Sequence, residues 1–356
     1  MSELEEFADH AILLERLSRV EKAHGKAKAE LRISRDQASA LAAERDGLLA
    51  RISVYEKAAG KKPPKWLTPK APKKKTSATV VAVLSDTHWD EVVRPEEIDG
   101  ANAYDRRIAE LRLKRFSDKT IELARDYVAG VDIDGLVLML GGDLISGHIH
   151  DELVESNEAS SLATVVHWSA QLAAAIRQLA DHFGKVHVPS VVGNHGRMKP
   201  GKPRMKGRVR DNLDWLLTTM TANHLAGDER VSWQIPDSTD ALVDVYGTRF
   251  LLTHGDQVRG GGGGVAGLLP PVFRMREKKR TNTPFDVMVI GHFHQLNLAA
   301  ATGLVVNGST KGPDEFSRIF NFKDEAPQQA FMVVTPKYGV SIQAPIHVMD
   351  RQKEGW

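Results

Sequence analysis

Five apolar runs in this chain each stop at a short polar sequence. They read "VVAVLSDTH" (80–88), "GLVLMLGGD" (135–143), "VPSVVGNH" (188–195), "RFLLTHGD" (249–256) and "DVMVIGHFH" (286–294). Runs this short and this rich in Val, Ile and Leu predict strands buried on both faces. Between them lie amphipathic stretches that predict helices over about 102–129, about 151–182 and from "RDNLDWLLTTMTANHLA" (210–226). Shorter strands are expected from the last run to about 348. Strand–helix alternation of this kind predicts a layered α/β fold. In such folds ligands collect at the carboxyl ends of strands, where the polar residues stand here.

The strand-end residues form one chemical set: Asp86 and His88, Asp143, Asn194 and His195, His254, and His292 and His294. A single Asp or His at a strand end is usually a structural hydrogen-bonder. Five such ends in succession, on loops punctuated by Gly141, Gly142, Gly193, Gly255 and Gly291, point instead to a shared bound group. The donors are oxygen and imidazole nitrogen. Cysteine is absent, so thiolate zinc sites, disulfides and a thiol nucleophile are excluded. Oxygen and imidazole suit manganese, iron or zinc more than a closed tetrahedral site. The set is too large for one ion with open positions, whereas two ions sharing a carboxylate would use it. Two metals about 3.5–4 Å apart can activate water and clamp a phosphoryl group for in-line attack.

At these residues the chain resembles the calcineurin-like metallophosphoesterase superfamily. That family carries D-x-H, G-D, G-N-H, H and G-H-x-H in this order. Here they are "SDTH" (85–88), "GGD" (141–143), "GNH" (193–195), "THGD" (253–256) and "GHFH" (291–294), within a match over about 79–310. The resemblance implies two packed sheets flanked by helices and two divalent metal ions. Manganese is the first expectation for the ions, with Fe2+, Zn2+ or Mg2+ as alternatives. It implies that Asp86, His88 and His294 hold one ion, that Asn194, His254 and His292 hold the other, and that Asp143 bridges them. His195 is the implied catalytic histidine, facing the substrate to protonate the leaving oxygen or stabilise the phosphoryl oxygens. A second "GHIH" at 147–150 echoes "GHFH" but opens a helix. His148 and His150 either face the substrate or are helix-start residues without a role.

The branch follows from what surrounds these motifs. Phosphoprotein phosphatases of the superfamily follow G-D with Asp-Arg-Gly and G-N-H with Glu, and neither is present. The chain is closer to the nuclease branch of the Mre11 and SbcD kind, although Gly196 stands where that branch commonly has Asp. The run "RMKPGKPRMKGRVR" (197–210) contains seven Lys or Arg and no acid, directly after the third motif. Arg197, Lys199, Lys202 and Arg204 are expected to bind substrate. Six charges beyond Arg197 exceed what one phosphate can use, so a phosphodiester backbone of DNA or RNA is the expected partner. A phosphatase or phosphodiesterase acting on a small nucleotide is the alternative, and a scaffold with a relict site a more distant one. A further basic stretch, "RMREKKR" (274–280), follows "GGGGG" (260–264), which lacks the Lys-Ser/Thr of a phosphate-binding P-loop and reads as a hinge.

The remaining segments carry less chemistry. Residues 1–59 are rich in Ala, Leu, Glu, Lys and Arg without Pro, and a heptad fits loosely. One seam holds Leu17, Leu31, Ala38 and Ile52, the other Leu13, Val20, Ala27, Leu41, Leu48 and Tyr55. Either a short coiled coil, joining copies or docking a protein partner, or a helix packed on its own domain fits this pattern. Residues 60–78 read as a Lys/Pro-rich linker, a charged spacer that could also touch nucleic acid. The phosphoesterase domain is expected over 79–356. "NGSTKGPDEFS" (307–317) reads as a polar turn, structural or lining the site. No apolar run reaches the ~18 residues of a membrane span, and the acidic start is unlike a signal peptide, so a cytoplasmic enzyme without a membrane partner is expected.

Overall fold

A computed structural model describes positions scattered between 19 and 46, and then 76–199, 205–258, 269–320 and 324–356. The chain divides into two units, Met1–Lys57 and Ala58–Trp356. In the first, the described residues are helical, and Val20, Leu31 and Leu41 are exposed. The expected linker falls almost wholly outside the described residues. Its last three positions differ from expectation, because strand β1 already begins at Thr76.

The second unit holds two mixed sheets. One is ordered β11-β10-β1-β2-β3-β4 and the other β5-β6-β7-β9-β8. In the first, β1 (Thr76–Leu84), β2 (Val131–Leu140), β3 (Val186–Pro189) and β4 (Val231–Gln234) run parallel. On the other side of β1, β10 (Gln328–Thr335) and β11 (Gly339–His347) complete it antiparallel. In the second sheet, β6 (Thr248–Thr253), β7 (Val287–Ile290) and β9 (Leu304–Val306) are parallel neighbours. The edges β5 (Asp240–Val245) and β8 (Asn297–Ala299) pair antiparallel. The strand-forming runs of the sequence are thus the central strands β1, β2, β3, β6 and β7, which are apolar because both their faces are covered.

The two-residue period of a strand sorts the core into layers. From β1, Val80, Ala82 and Leu84 face a helical layer, while Val81 and Val83 meet the second sheet. The inter-sheet core joins Val137, Met139 and Met332 to Val243, Phe250, Leu252 and Val289. On the far face, Leu251, Met288 and Ile290 pack on Val272 of a helix. The order is helix, sheet, sheet, helix, the layered α/β arrangement that the alternation of elements predicts.

Four longer helices support the sheets: α1 (Arg106–Glu122), α3 (Ser161–Phe183), α4 (Leu213–His224) and α5 (Leu269–Asn282). Between the first two lies a short one, α2 (Asp151–Ser156). The helix expected over about 151–182 is therefore two, parted at Asn157–Ser160, because Ser160 adopts extended backbone to cap α3. Val165, Trp168, Leu172, Ile176 and Leu179 then form the buried stripe of α3 at three- and four-residue spacing. The helix expected to 129 ends its regular turns at Glu122, followed by a π-helical turn over Leu123–Tyr127. The basic stretch 274–280 lies on α5, where Arg276 donates to the Gly303 carbonyl and Lys279 pairs with Asp240. Those two charges are used inside the fold. The glycine run 260–264 lies outside the described residues. Among the described residues no helix is long and apolar enough to cross a membrane.

Phe250 is fully buried between the sheets. Phe250→Ala is expected to cost about 3–5 kcal/mol in urea unfolding, against under ~0.5 kcal/mol for Val154→Ala on an exposed helix face. Equal costs would contradict this layering.

Candidate metal centre

The carboxyl ends of β1, β2, β6 and β7 meet at the seam between the sheets. Backbone hydrogen bonds stitch the loops there: Asp86 N–H to the Gly142 carbonyl at 3.0 Å, Gly291 N–H to the His254 carbonyl at 2.9 Å. Side chains add to this. Asp86 Oδ1 accepts from the His292 N–H at 2.7 Å, and Asp143 Oδ1 from the His195 N–H at 2.7 Å. Each carboxylate thus ties a loop from another strand; Asp143 turns its other oxygen, Oδ2, to His254, whereas Asp86 Oδ2 accepts from Ser85 and Oδ1 itself faces His294.

The geometry needs unusual backbone. Asp86, His88, Asp143, His292 and His294 all have positive φ, between 46° and 70°. They are five of the eight non-glycine residues with positive φ among those described, which places backbone strain where the chemistry is. Close approach also demands glycine. A Cβ on Gly193 would lie 2.0 Å from Asp143 Oδ1, and one on Gly291 2.3 Å from Asp86 Oδ2.

Three groups of donors result: Asp86, His88 and His294; Asp143, His254 and His292; and His88, Asp143 and His195. In each, the donor atoms lie within 4.8 Å of one another, close enough to hold a metal ion. His88 Nε2 faces His294 Nε2 at 3.1 Å, and His294 Nε2 lies 3.6 Å from Asp86 Oδ1. His254 Nε2 stands 2.9 Å from Asp143 Oδ2 and 3.2 Å from Asn194 Oδ1. Its Nδ1 is 2.9 Å from the Gly141 carbonyl, which fixes the ring with Nε2 inward. His195 Nδ1 is 2.8 Å from the Ser146 carbonyl, so the proton sits there and Nε2 keeps its lone pair.

Crowding decides the charge states. Burial pushes Asp86 up to about 6, aided by Asp143 and opposed by His254. Burial also works against charge on Asp143 and His254. Here the mutual attraction wins, holding Asp143 well below the usual carboxylate range and raising His254 to about 10. Burial, then the neighbouring His254, lowers His292 to about 4; burial and His88 push His294 well down. Burial likewise takes His195 to about 4. His292 and His294 are thus neutral imidazoles with lone pairs free beside carboxylates, and a cation would take the place of the His254 proton against Asp143, so these residues fit divalent metal binding.

All seven residues expected to hold metal, with His195, lie in this cluster. The expected substrate residues do not form one group. Arg197 reaches the Asn194 carbonyl at 3.3 Å and with Lys199 borders a cavity of about 40 Å³ that also touches Asn194, Lys206, Arg208 and Asp256. Lys202 and Arg204 lie outside the described residues. Arg208 pairs with Asp256 in a largely buried contact, and Arg210 pairs with Asp237 at 2.6 Å on the surface, so two charges of the basic run are engaged by acids of this chain. His148 lies between Ser161 Oγ (3.2 Å) and the Met198 carbonyl (3.1 Å), clasping the start of α3 to the loop after His195. Both its ring nitrogens are engaged in this clasp. His150 is exposed, with its ring 6.3 Å from that of His195.

Other residues escaped sequence reasoning. Asp214, near the start of α4, accepts from the N–H groups of Asp143, Leu144 and Gly193 at 2.9, 3.1 and 2.9 Å. It binds the second motif to the third, yet nothing in its own spacing signals this. Asp90 is buried and receives Arg106, Thr164 and Trp168, anchoring the first motif to α1 and α3. The "NGSTKG" turn braces the first motif: Ser309 Oγ donates to the Asp86 carbonyl at 2.6 Å.

No family model matches the chain, and no curated protein matches it. Solved structures similar to it include a predicted phosphoesterase from Streptococcus pneumoniae, at 12% identity over 75% of this chain and 97% of that one, with a TM-score of 0.27. A Vps29 single mutant from Entamoeba histolytica shows 13% identity over 75% and 98%, with a TM-score of 0.29. A dimetal phosphatase from Danio rerio shows 12% identity over 76% and 99%, with a TM-score of 0.38. Likeness at that level decides nothing about chemistry.

Gly193→Ala is expected to cost about 1–3 kcal/mol in chemical denaturation, because the loop bearing Asp143 must shift. Gly227→Ala, which meets nothing within 4 Å, serves as control. Equal stability of the two variants would refute the close-packed reading of the seam.

Proposed function

We propose that the chain is a dinuclear-metal-dependent phosphoesterase that hydrolyses phosphodiesters, with DNA or RNA as the favoured substrate class. One observation supports it above the others: donor groups of opposite strands and both sheets converge into adjacent triads that share a seam. Asp86, His88 and His294 would hold one ion and Asn194, His254 and His292 the other, with Asp143 between them. Two divalent cations would supply Lewis acidity and a water of lowered pKa.

The chain's own residues do the rest. The carbonyl of Ser146 fixes the His195 tautomer, leaving Nε2 as the atom that takes up a proton and, once protonated, donates it to the leaving oxygen or hydrogen-bonds a phosphoryl oxygen. Arg197 stands three residues past Asn194, with Lys199 and Lys206 near it around the same small cavity. Their charge supports an anionic substrate that extends beyond the reacting phosphate. The pairing of Arg208 and Arg210 with acids of this chain shortens the free basic track and gives weight to the second reading, a small nucleotide ester.

Metal-depleted protein is expected to leave bis-p-nitrophenyl phosphate intact and to regain turnover with Mn2+. His195→Ala should lower kcat by about 10²–10⁴-fold. Arg197→Ala should raise KM and lower kcat. Labelled DNA or RNA should be cut under the same conditions, with weaker binding as salt rises. Good turnover of a nucleotide with no cleavage of either nucleic acid would replace the nuclease reading with the small-ester one.

A further inference from the structure

Lys311 is a lysine with almost no access to water; it is 2% exposed. Removing an ammonium from water costs several kcal/mol unless it is well paired, and such pairs rarely gain net stability. Its Nζ lies 2.7 Å from Glu91 Oε1 and is bonded to Asp314 Oδ2. Glu91 is itself buried, and its second oxygen, Oε2, lies 3.4 Å from Nδ1 of His88. That Nδ1 is buried and makes no hydrogen bond, so the Glu91 carboxylate is the acceptor left within reach of it. The opposite nitrogen of the ring, Nε2, is the one facing His294 in the centre.

We propose that Glu91 and Lys311 are positioning residues for the metal centre, holding His88 in the tautomer and orientation that present Nε2 to an ion. The proposal rests on the dinuclear reading above and adds which groups outside the ligand set make one half of it work. A ligating histidine needs its far nitrogen protonated and hydrogen-bonded, and a carboxylate there also makes the ring a stronger donor. Glu91 is the acceptor in reach. Lys311 holds that acceptor in place: its Nζ binds Oε1 of Glu91 at 2.7 Å and leaves Oε2 on the side of His88.

The support for Lys311 is itself rigid. Arg112, fully buried, donates to the carbonyls of Thr310 at 2.9 Å and Lys311 at 2.6 Å, while its other edge is bound to Asn102 and Glu354. Asn102 donates to the carbonyls of Lys311 and Pro313, both at 2.8 Å. The loop after β9 is thereby fixed to α1, and the ammonium with it. Lys311, Glu91 and Asp314 together carry one net negative charge, which favours a cation on the far side of His88. Lys311 is too buried to touch substrate.

The test is titration of metal-depleted protein with Mn2+ by calorimetry, with near-ultraviolet circular dichroism confirming the fold of each variant. Wild type should bind two ions. Glu91→Ala should weaken one of them about 10–100-fold and leave the other unchanged. Glu91→Gln, which keeps an acceptor without charge, should fall between. Lys311→Met should weaken the same ion. If Glu91→Ala does not fold, the Glu91→Gln and Lys311→Met variants decide. Unchanged Mn2+ affinity in the folded variants, beside a wild type that binds two ions, would overturn the proposal alone. A wild type that binds no Mn2+ would overturn it together with the dinuclear reading.

Discussion

The short approach between Asp143 and His254 governs much of this structure. One residue lies just past β2 in the first sheet, the other follows β6 in the second, and their side chains meet at 2.9 Å in a place with almost no solvent. A carboxylate and an imidazole so placed cannot both shed their charge to water. They settle as an ion pair in the metal-free protein, or share a cation. Either way the two sheets must stand in one relative position, because the pair spans the seam. The inter-sheet packing of Phe250, Met139 and Val289 supplies area but little direction. The polar seam supplies direction.

That seam is assembled by residues whose roles are shared out. Asp86 and Asp143 each tie a distant backbone N–H with one oxygen. Asp214 gathers three more N–H groups and makes one unit of the loops after β2 and β3. Below, Asp90 receives donors from α1 and α3, and Arg112 with Asn102 pins the loop carrying Lys311. Each of these buried charges costs desolvation. Their common effect is to hold a strained group of αL residues in place, and strain of that kind persists only where the surroundings determine it several times over.

The layered α/β class, the five central strands and the cluster of Asp, His and Asn side chains were legible in the sequence. A strand buried on both faces must be apolar throughout, and the residue types that end it are visible by inspection. The substrate end was less legible. Charge counts gave one basic run from Arg197 to Arg210, yet Arg208 and Arg210 turn to Asp256 and Asp237, acids 48 and 27 residues further along. The break between α2 and α3 is short, and Leu153 and Val154 before it and Leu162, Val165 and Val166 after it let one apolar pattern run through both helices.

By itself, then, the sequence determined which residue types stand at strand ends and in what order, since local pattern and period suffice for that. Tertiary structure alone decided which of them face one another. Neither the pairing of Glu91 with Lys311, 220 positions apart, nor the three bonds of Asp214 has a local signature. Both arise because two sheets pack face to face and bring remote loops to one edge, where buried polar groups must find partners or pay for having none.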